Sequence, residues 1–187
     1  MELLSAIQAY KPCCEAEARD RELMLYALAH FPDVLSRENP VCHFTASNWI
    51  TNPDRNKILM VHHNVYHHWA WTGGHADGEA DLRAVALREA REESGLETLR
   101  PLYDGIFSIQ TLCVDHHVKR GRYVASHLHL DCCYLWEADE QAPLRAKADE
   151  NSGVRWVPMG QVLETADEAV MDIVYSKLNE KLLALPR

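Results

Sequence analysis

No apolar run in this 187-residue sequence approaches the ~18 residues that a membrane-spanning helix needs. The opening Met1-Glu2-Leu3-Leu4 carries no basic region ahead of an apolar stretch, which argues against a secretion signal and for a cytoplasmic protein. None of the six cysteines forms a C-x-x-C; Cys13 and Cys14 are adjacent, as are Cys132 and Cys133, while Cys42 and Cys113 stand alone. Adjacent cysteines are poor geometry for a disulfide framework or a zinc knuckle. Free thiols are expected instead. Positive charge is also scarce: 19 Lys and Arg stand against 28 Asp and Glu, a formal net charge of -9. That balance disfavours nucleic acid or an anionic membrane as main partner. It leaves a small anionic substrate open, because a bound cation inverts the local charge. There are no internal repeats and no low-complexity tract.

What is present is ordinary for a globular chain: 47% hydrophobic and 25% charged residues, in a length that fits one domain with a sizeable core. Residues 1–40 read as a helical leader. Leu23, Leu25, Tyr26, Leu28 and Ala29 supply its periodic apolar content, and Pro32 and Pro40 close it. A core domain is expected over 41–187, with strands at 44–50, 57–65, 106–114, 127–136 and 154–157. A closing helix over 167–185 would present Val170, Ile173, Val174, Leu178 and Leu182 at helical spacing. This order predicts an α/β fold, a mixed β-sheet packed between helices as an α/β/α sandwich.

The segment 73–96, GGHADGEADLRAVALREAREESGL, carries the chemistry. It joins a glycine turn to a helix bearing Glu89, Glu92 and Glu93, with Ser94-Gly95 as the stop signal. At positions i, i+3 and i+4 the three glutamates share one helix face. At ~6 Å and an effective dielectric of ~20, each pair repels by about 2–3 kcal/mol, and hard divalent cations are the natural offset. A merely solvated charge face would lie opposite the apolar stripe of Leu82, Val85 and Ala86. These glutamates continue that stripe instead, while Arg83, Arg88 and Arg91 point elsewhere.

At these residues the chain resembles the Nudix hydrolase family, whose box reads G-x5-E-x7-R-E-U-x-E-E-x-G-U with U a bulky aliphatic residue. Gly74 matches the opening glycine, and Arg88, Glu89, Glu92, Glu93, Gly95 and Leu96 match the second half in register. There are two departures: Ala80 stands where the first glutamate belongs, and Ala90 where a larger aliphatic is usual. In the family that first glutamate supports the loop by pairing with the motif's arginine, so Glu79 or Asp81 is the expected substitute partner for Arg88. The resemblance covers roughly residues 42–160 and includes Trp69-Ala70-Trp71-Thr72-Gly73-Gly74-His75, the His-Leu-His-Leu-Asp strand and Val154-Arg155-Trp156-Val157.

The resemblance implies the Nudix α/β/α sandwich and a hydrolase that cleaves the diphosphate linkage of a nucleoside diphosphate joined to another moiety. Mg²⁺, or Mn²⁺, would be held by Glu89, Glu92, Glu93 and the Gly74 carbonyl. Arg88 would orient Glu89, and Glu92 or Glu93 would activate the water. The partner is then a small phosphorylated, nucleotide-derived substrate, and a homodimer fits the family.

Weaker candidates surround this set. His127, His129 and Asp131 fall on one face of a strand; they either line the pocket, with Asp131 as a further ligand or base, or form a half-exposed face of solvated histidines. Glu150 sits where many family members carry a catalytic loop carboxylate. His75, inside the glycine turn, ranks first among the histidines, ahead of the pairs at 62–63 and 116–117. Tyr66, Trp69, Trp71 and Tyr123 could stack on a nucleobase, worth ~1–3 kcal/mol, although packing is the commoner use of such rings. Two competing functions remain: a binding module that senses a nucleotide derivative without turnover, and an isopentenyl-diphosphate isomerase-like enzyme using a cysteine, for which Cys42 is the one cysteine near a plausible position. The flanking motif of that isomerase branch is missing.

Overall fold

The strand at the middle of the molecule is buried over its whole length, and everything else is placed relative to it. The computed structural model describes residues 2–64, 67–119 and 121–186. Two helices come first, α1 (Leu3–Ala9) and α2 (Glu15–His30). The central strand β1 (Cys42–Thr51) turns into β2 (Lys57–His63). Asn52 drives that turn, its side-chain oxygen accepting the backbone N–H of both Asn56 and Lys57 at 3.0 Å, an Asx-type device.

The short strands β3 (Trp69–Ala70) and β4 (Thr72–His75) lead to helix α3 (Leu82–Ser94). After it come β5 (Arg100–Pro101), β6 (Ser108–Val114), the hairpin β7 (His117–Lys119) and β8 (Arg122–Val124), and the long β9 (His127–Glu137). The chain ends with β10 (Asn151–Pro158), α4 (Val162–Ala166) and α5 (Asp172–Leu183).

The sheet is mixed. β1 runs parallel to β9 from Cys42 opposite Leu128 to Thr51 opposite Glu137. Along its other edge β1 meets β4 at residues 45–48 and β2 only where Thr51 faces Ile58. The far edge of β2 is taken by β10, so β3 lies on its near edge. β1 and β2 therefore splay, and the β3–β4 segment fills the gap, which is how Gly73 and Gly74 come to lie inside the sheet.

Alternation sorts the two faces. Phe44, Ala46 and Ile50 of β1 and Leu130, Cys132 and Tyr134 of β9 pack with Leu82, Val85, Ala86 and Ala90 of α3, and the same core takes in Ile7, Met24 and Ala27 of the leader helices. Trp49, Ile58, Met60 and Leu135 pack the other way, against Val162, Val174, Tyr175, Leu178 and Leu182. The expected α/β/α sandwich is the observed one. No helix among the described residues is long and apolar enough to cross a membrane.

The ends of the chain differ from the sequence expectation in detail. The leader is helical only to His30, and residues 31–41 run as turns until Asn39 accepts the N–H of Val41 and Cys42 at 2.9 and 3.1 Å and feeds the chain into β1. On α2 the buried positions are Met24 and Ala27, whereas Leu23, Tyr26 and Ala29 are exposed. Apolar residues surround that helix on several sides, so their spacing could not single out one face. A charge sets the rotation instead. Glu17 is fully buried; its carboxylate receives Lys181 at 2.9 Å, the Ser108 hydroxyl at 2.9 Å, Lys177 at 3.3 Å and the Cys13 N–H at 2.9 Å. Burial alone would raise its pKa, yet the Cys13 N–H, Lys181, Tyr10 and Lys177 hold it at about 2.

The closing helix begins at Asp172, because Asp167 takes a left-handed φ of 51° and ends α4. Val170 and Ile173 are consequently exposed. The expected second strand stops at His63, and Val65 lies outside the described residues.

Candidate active site

Helix α3 begins where Asp81 accepts the Ala84 N–H at 3.1 Å and stops where Gly95 takes a φ of 76°, the expected glycine stop. Its apolar stripe docks on the sheet, and the carboxylates further along the same stripe point at the glycine turn. Glu93 is buried, Glu89 half-buried and Glu92 exposed. The Gly73 N–H donates to Glu93 at 3.3 Å. A methyl group on Gly74 would sit 2.7 Å from the Glu89 carboxyl carbon, and one on Gly73 would sit 2.7 Å from the Ala46 carbonyl oxygen. Gly73 is therefore required by its approach to backbone, while a side chain at Gly74 would push the Glu89 carboxylate aside. Gly74→Ala is expected to displace Glu89 and lower kcat/KM by ~100-fold, the scale of a 1 Å misplacement at a reacting centre, with little change in the circular dichroism spectrum.

The third carboxylate arrives from the loop before β10. The Asn64 N–H donates to the Glu150 carbonyl at 2.9 Å, and Asn151 at the head of β10 donates to the Glu93 carbonyl at 3.2 Å. Carboxylate oxygens of Glu89, Glu93 and Glu150 then lie within 4.8 Å of one another. Glu92 lies beside this trio rather than in it. Lys147 holds it at 2.8 Å while also reaching Glu150 at 3.0 Å, and both acids push the lysine's pKa up.

Burial drives the carboxyl of Glu93 up to about 8, with the Glu89 and Glu150 charges adding to the shift. Burial likewise raises Glu89, partly offset by Arg88, which it meets at 3.2 Å. The substitute partners expected for Arg88 do other work: Asp81 caps the helix, and Glu79 accepts the Asp81 N–H at 2.9 Å. Arg88 is held by Glu89 itself, because Asp81 is committed to the helix start and cannot also reach one turn further.

A second cluster lies across the sheet. In the antiparallel register His75 faces Thr45, so successive residues of β4 look to opposite sides, Gly74 toward α3 and His75 away from it. There His43 of β1, His75 of β4 and His129 of β9 place ligand nitrogens within 4.8 Å of one another, and His127 stacks on His43 with ring centroids 4.9 Å apart. Burial lowers the pKa of His43.

Asp131 shares the strand face with His127 and His129 but does not line an open pocket. It is 2% exposed and accepts Thr45 at 2.9 Å, Ser47 at 2.6 Å and Gln110 at 2.5 Å, while burial lifts its pKa to about 6. Neighbouring strands on both edges supply those donors, so a carboxylate that the strand period alone leaves open is enclosed by the sheet.

The aromatic candidates are spread out. Trp71 packs edge-on against Tyr175 at 5.6 Å, Trp69 lies under the Arg155 guanidinium at 4.2 Å, and Tyr123 is exposed beside His116. Tyr66 lies outside the described residues. Cys42 is buried, and burial raises its thiol pKa. Two residues of the clusters were not singled out from sequence, His43 and Lys147. The alternation of polar His43, Thr45 and Ser47 along an otherwise apolar strand was the available signal for the first. For Lys147 there was none.

Comparison with known proteins bears on this geometry. A family model, the NUDIX domain, matches residues 43–178. Among solved structures, a Caenorhabditis elegans Ap4A hydrolase in binary complex superposes with a TM-score of 0.55 at 21% identity, covering 76% of this chain and 98% of that one. A Mycobacterium smegmatis Nudix hydrolase, RenU, gives 0.54 at 19% identity, covering 78% and 88%. A Clostridium perfringens hydrolase of the same family gives 0.53 at 20% identity, covering 77% and 98%. At these identities the likenesses show the fold. No curated protein matches the sequence.

Proposed function

The chain belongs to the Nudix family and is a hydrolase of phosphorus-containing acid anhydrides, and on that premise we propose that it is a Mg²⁺-dependent enzyme cleaving the diphosphate linkage of a nucleoside diphosphate joined to another group. The observation that carries the proposal is the carboxylate trio of Glu89, Glu93 and Glu150 within 4.8 Å, one of them buried with its pKa pushed to about 8. Such a site is unfavourable without positive charge and fits a hard divalent cation by its all-oxygen donors. The Gly74 backbone, held against Glu89 by the absence of a side chain, completes the donor set.

Bound Mg²⁺ would supply charge over the bridging oxygens and lower the pKa of a bound water. Glu89 and Glu93 would hold the ion from one helix face, with Glu150 joining them from the loop before β10. Arg88 meets Glu89 at 3.2 Å and orients it. Glu92 stands at the rim, where Lys147 is its partner. The proton of the attacking water would pass to Glu92, Glu93 or Glu150. His75 of β4 and His129 of β9 lie on the other side of the sheet from these acids.

A hydrolysis panel of nucleoside-diphosphate derivatives tests the reading. Turnover that requires Mg²⁺, stops with EDTA, releases two phosphorylated fragments and falls at least ~100-fold in Glu89→Gln is the expected result. Thermal stabilisation by one compound of the panel without turnover would replace it with a sensing module.

A further inference from the structure

The four histidines on the other face of β4 form a second site. We infer that His43, His75 and His129, with His127 beside them, bind a borderline divalent transition ion such as Zn²⁺, separate from the carboxylate cluster. The rings of His75 and His129 each lie about 5 Å from that of His43, with centroid separations of 5.1 and 4.9 Å, and 5.0 Å from each other. His127 lies 5.1 Å from His129. Three strands that are distant in sequence meet to make this group.

The hydrogen bonds decide which nitrogens face inward. Nδ1 of His43 lies 3.4 Å from the Asn39 carbonyl. A carbonyl only accepts, so this nitrogen carries the proton and Nε2 presents a lone pair. That Nε2 is buried and has no hydrogen-bond partner, although His43 is only 3% exposed. His127 repeats the arrangement: its Nδ1 donates to the Ala125 carbonyl at 2.8 Å, and its Nε2 stands 3.3 Å from Nε2 of His129. A ring nitrogen fixed by a backbone carbonyl with the other aimed at a common point is how proteins orient metal-ligating imidazoles.

Packed histidines alone do not account for this. Asp77 is already held by Arg37 at 2.6 Å, and the buried His43 Nε2 has no hydrogen-bond partner in the protein. An ion would supply that partner. All-nitrogen donors favour Zn²⁺, Ni²⁺ or Cu²⁺ over Mg²⁺. Ligands at about 2.0–2.1 Å from Zn²⁺ in a tetrahedron stand roughly 3.4 Å apart; the present spread of up to 4.8 Å closes with small rotations of the half-buried His75 and His129, which also give the ion a way in.

The test uses the full chain without an affinity tag, titrated with Zn²⁺ by calorimetry and with Co²⁺ by visible absorption. One equivalent of Zn²⁺ per chain and the intense bands of tetrahedral Co²⁺ are expected. His75→Asn and His129→Asn should each weaken binding at least ~10-fold, whereas His117→Asn and Glu93→Gln leave it intact. His43 is too buried for a clean substitution, so the two half-buried rings carry the experiment. Absent binding, or binding that survives both His75→Asn and His129→Asn, overturns the inference. Loss of Zn²⁺ in Glu93→Gln overturns it too, by placing the ion among the carboxylates. Hydrolytic activity is not the readout, so this site and the proposed reaction stand or fall independently.

Discussion

Glu93→Gln is expected to lower kcat by about 10³-fold and at the same time to stabilise the metal-free protein at alkaline pH. The loss of turnover follows from position: Glu93 is the buried member of the carboxylate trio and receives the Gly73 N–H, and removing a charged group at such a centre costs 10²–10⁴-fold. The gain in stability follows from the same burial. The folded pKa of about 8 lies above the ordinary 4.5, so between these values the folded chain keeps a proton that the unfolded chain has released. The associated stability is complete below about 4.5 and is lost as pH rises through about 8.

Glutamine mimics the protonated acid at every pH. In EDTA, the melting temperatures of variant and wild type should coincide near pH 5 and separate by several degrees near pH 9, the variant being higher. Titrating groups remote from Glu93 cancel in that difference. Mg²⁺ should reverse the order, because it binds the ionised wild-type carboxylate. A pH-independent gap between the two proteins in EDTA would remove the physical basis of the argument.

Glu17→Ala is expected to be the most damaging single change away from the active site, lowering stability by ~3–5 kcal/mol. Truncation leaves Lys177 and Lys181, whose side chains are only 13% and 17% exposed, without their counter-charge, and leaves the Cys13 N–H without its acceptor. A fall in melting temperature of roughly 6–20 °C should result, at about 2–4 °C per kcal/mol. Since the folded pKa of Glu17 is about 2 against an ordinary 4.5, its contribution is present above about 4.5 and lost as pH falls toward 2. The double change Glu17→Met with Lys181→Met should recover much of the loss, because removing a buried pair costs less than breaking it. Equal melting temperatures for the single and double variants would show that the pairing is not what holds α2.

The stripe, carboxylate face and stop of α3 are legible in the sequence because all are local, and the azimuth of Glu89, Glu92 and Glu93 follows from 3.6 residues per turn. Its start is not, because Asp81 reads there as a partner for Arg88 and serves instead as the cap. The azimuth did not separate Glu92 from its neighbours. That separation depends on Lys147, which reaches the helix from a loop 55 residues away. Glu150 was found by its place in the family pattern, but its meeting with Glu93 rests on the side chain of Asn151. Asp131 shows the opposite limit: period two placed it on one strand face with His127 and His129, while the donors that enclose it come from β1, 84 and 86 residues earlier, and from β6, 21 residues earlier. A buried charge such as Glu17 is recognisable only once its partners are known, and Lys181 lies 164 positions downstream.

That last separation sets a schedule for the chain as it is made. Glu17 is bound 164 positions before Lys181, and β1 is complete long before β9, the strand it pairs with in parallel register. At about 5–20 residues per second, the ribosome needs on the order of ten to thirty seconds to deliver the lysine after the glutamate. Through much of that interval the leader helices exist without the α5 lysines that hold Glu17. The elements born first are sealed late, and the nascent leader stays open to chaperones and proteases until α5 joins it.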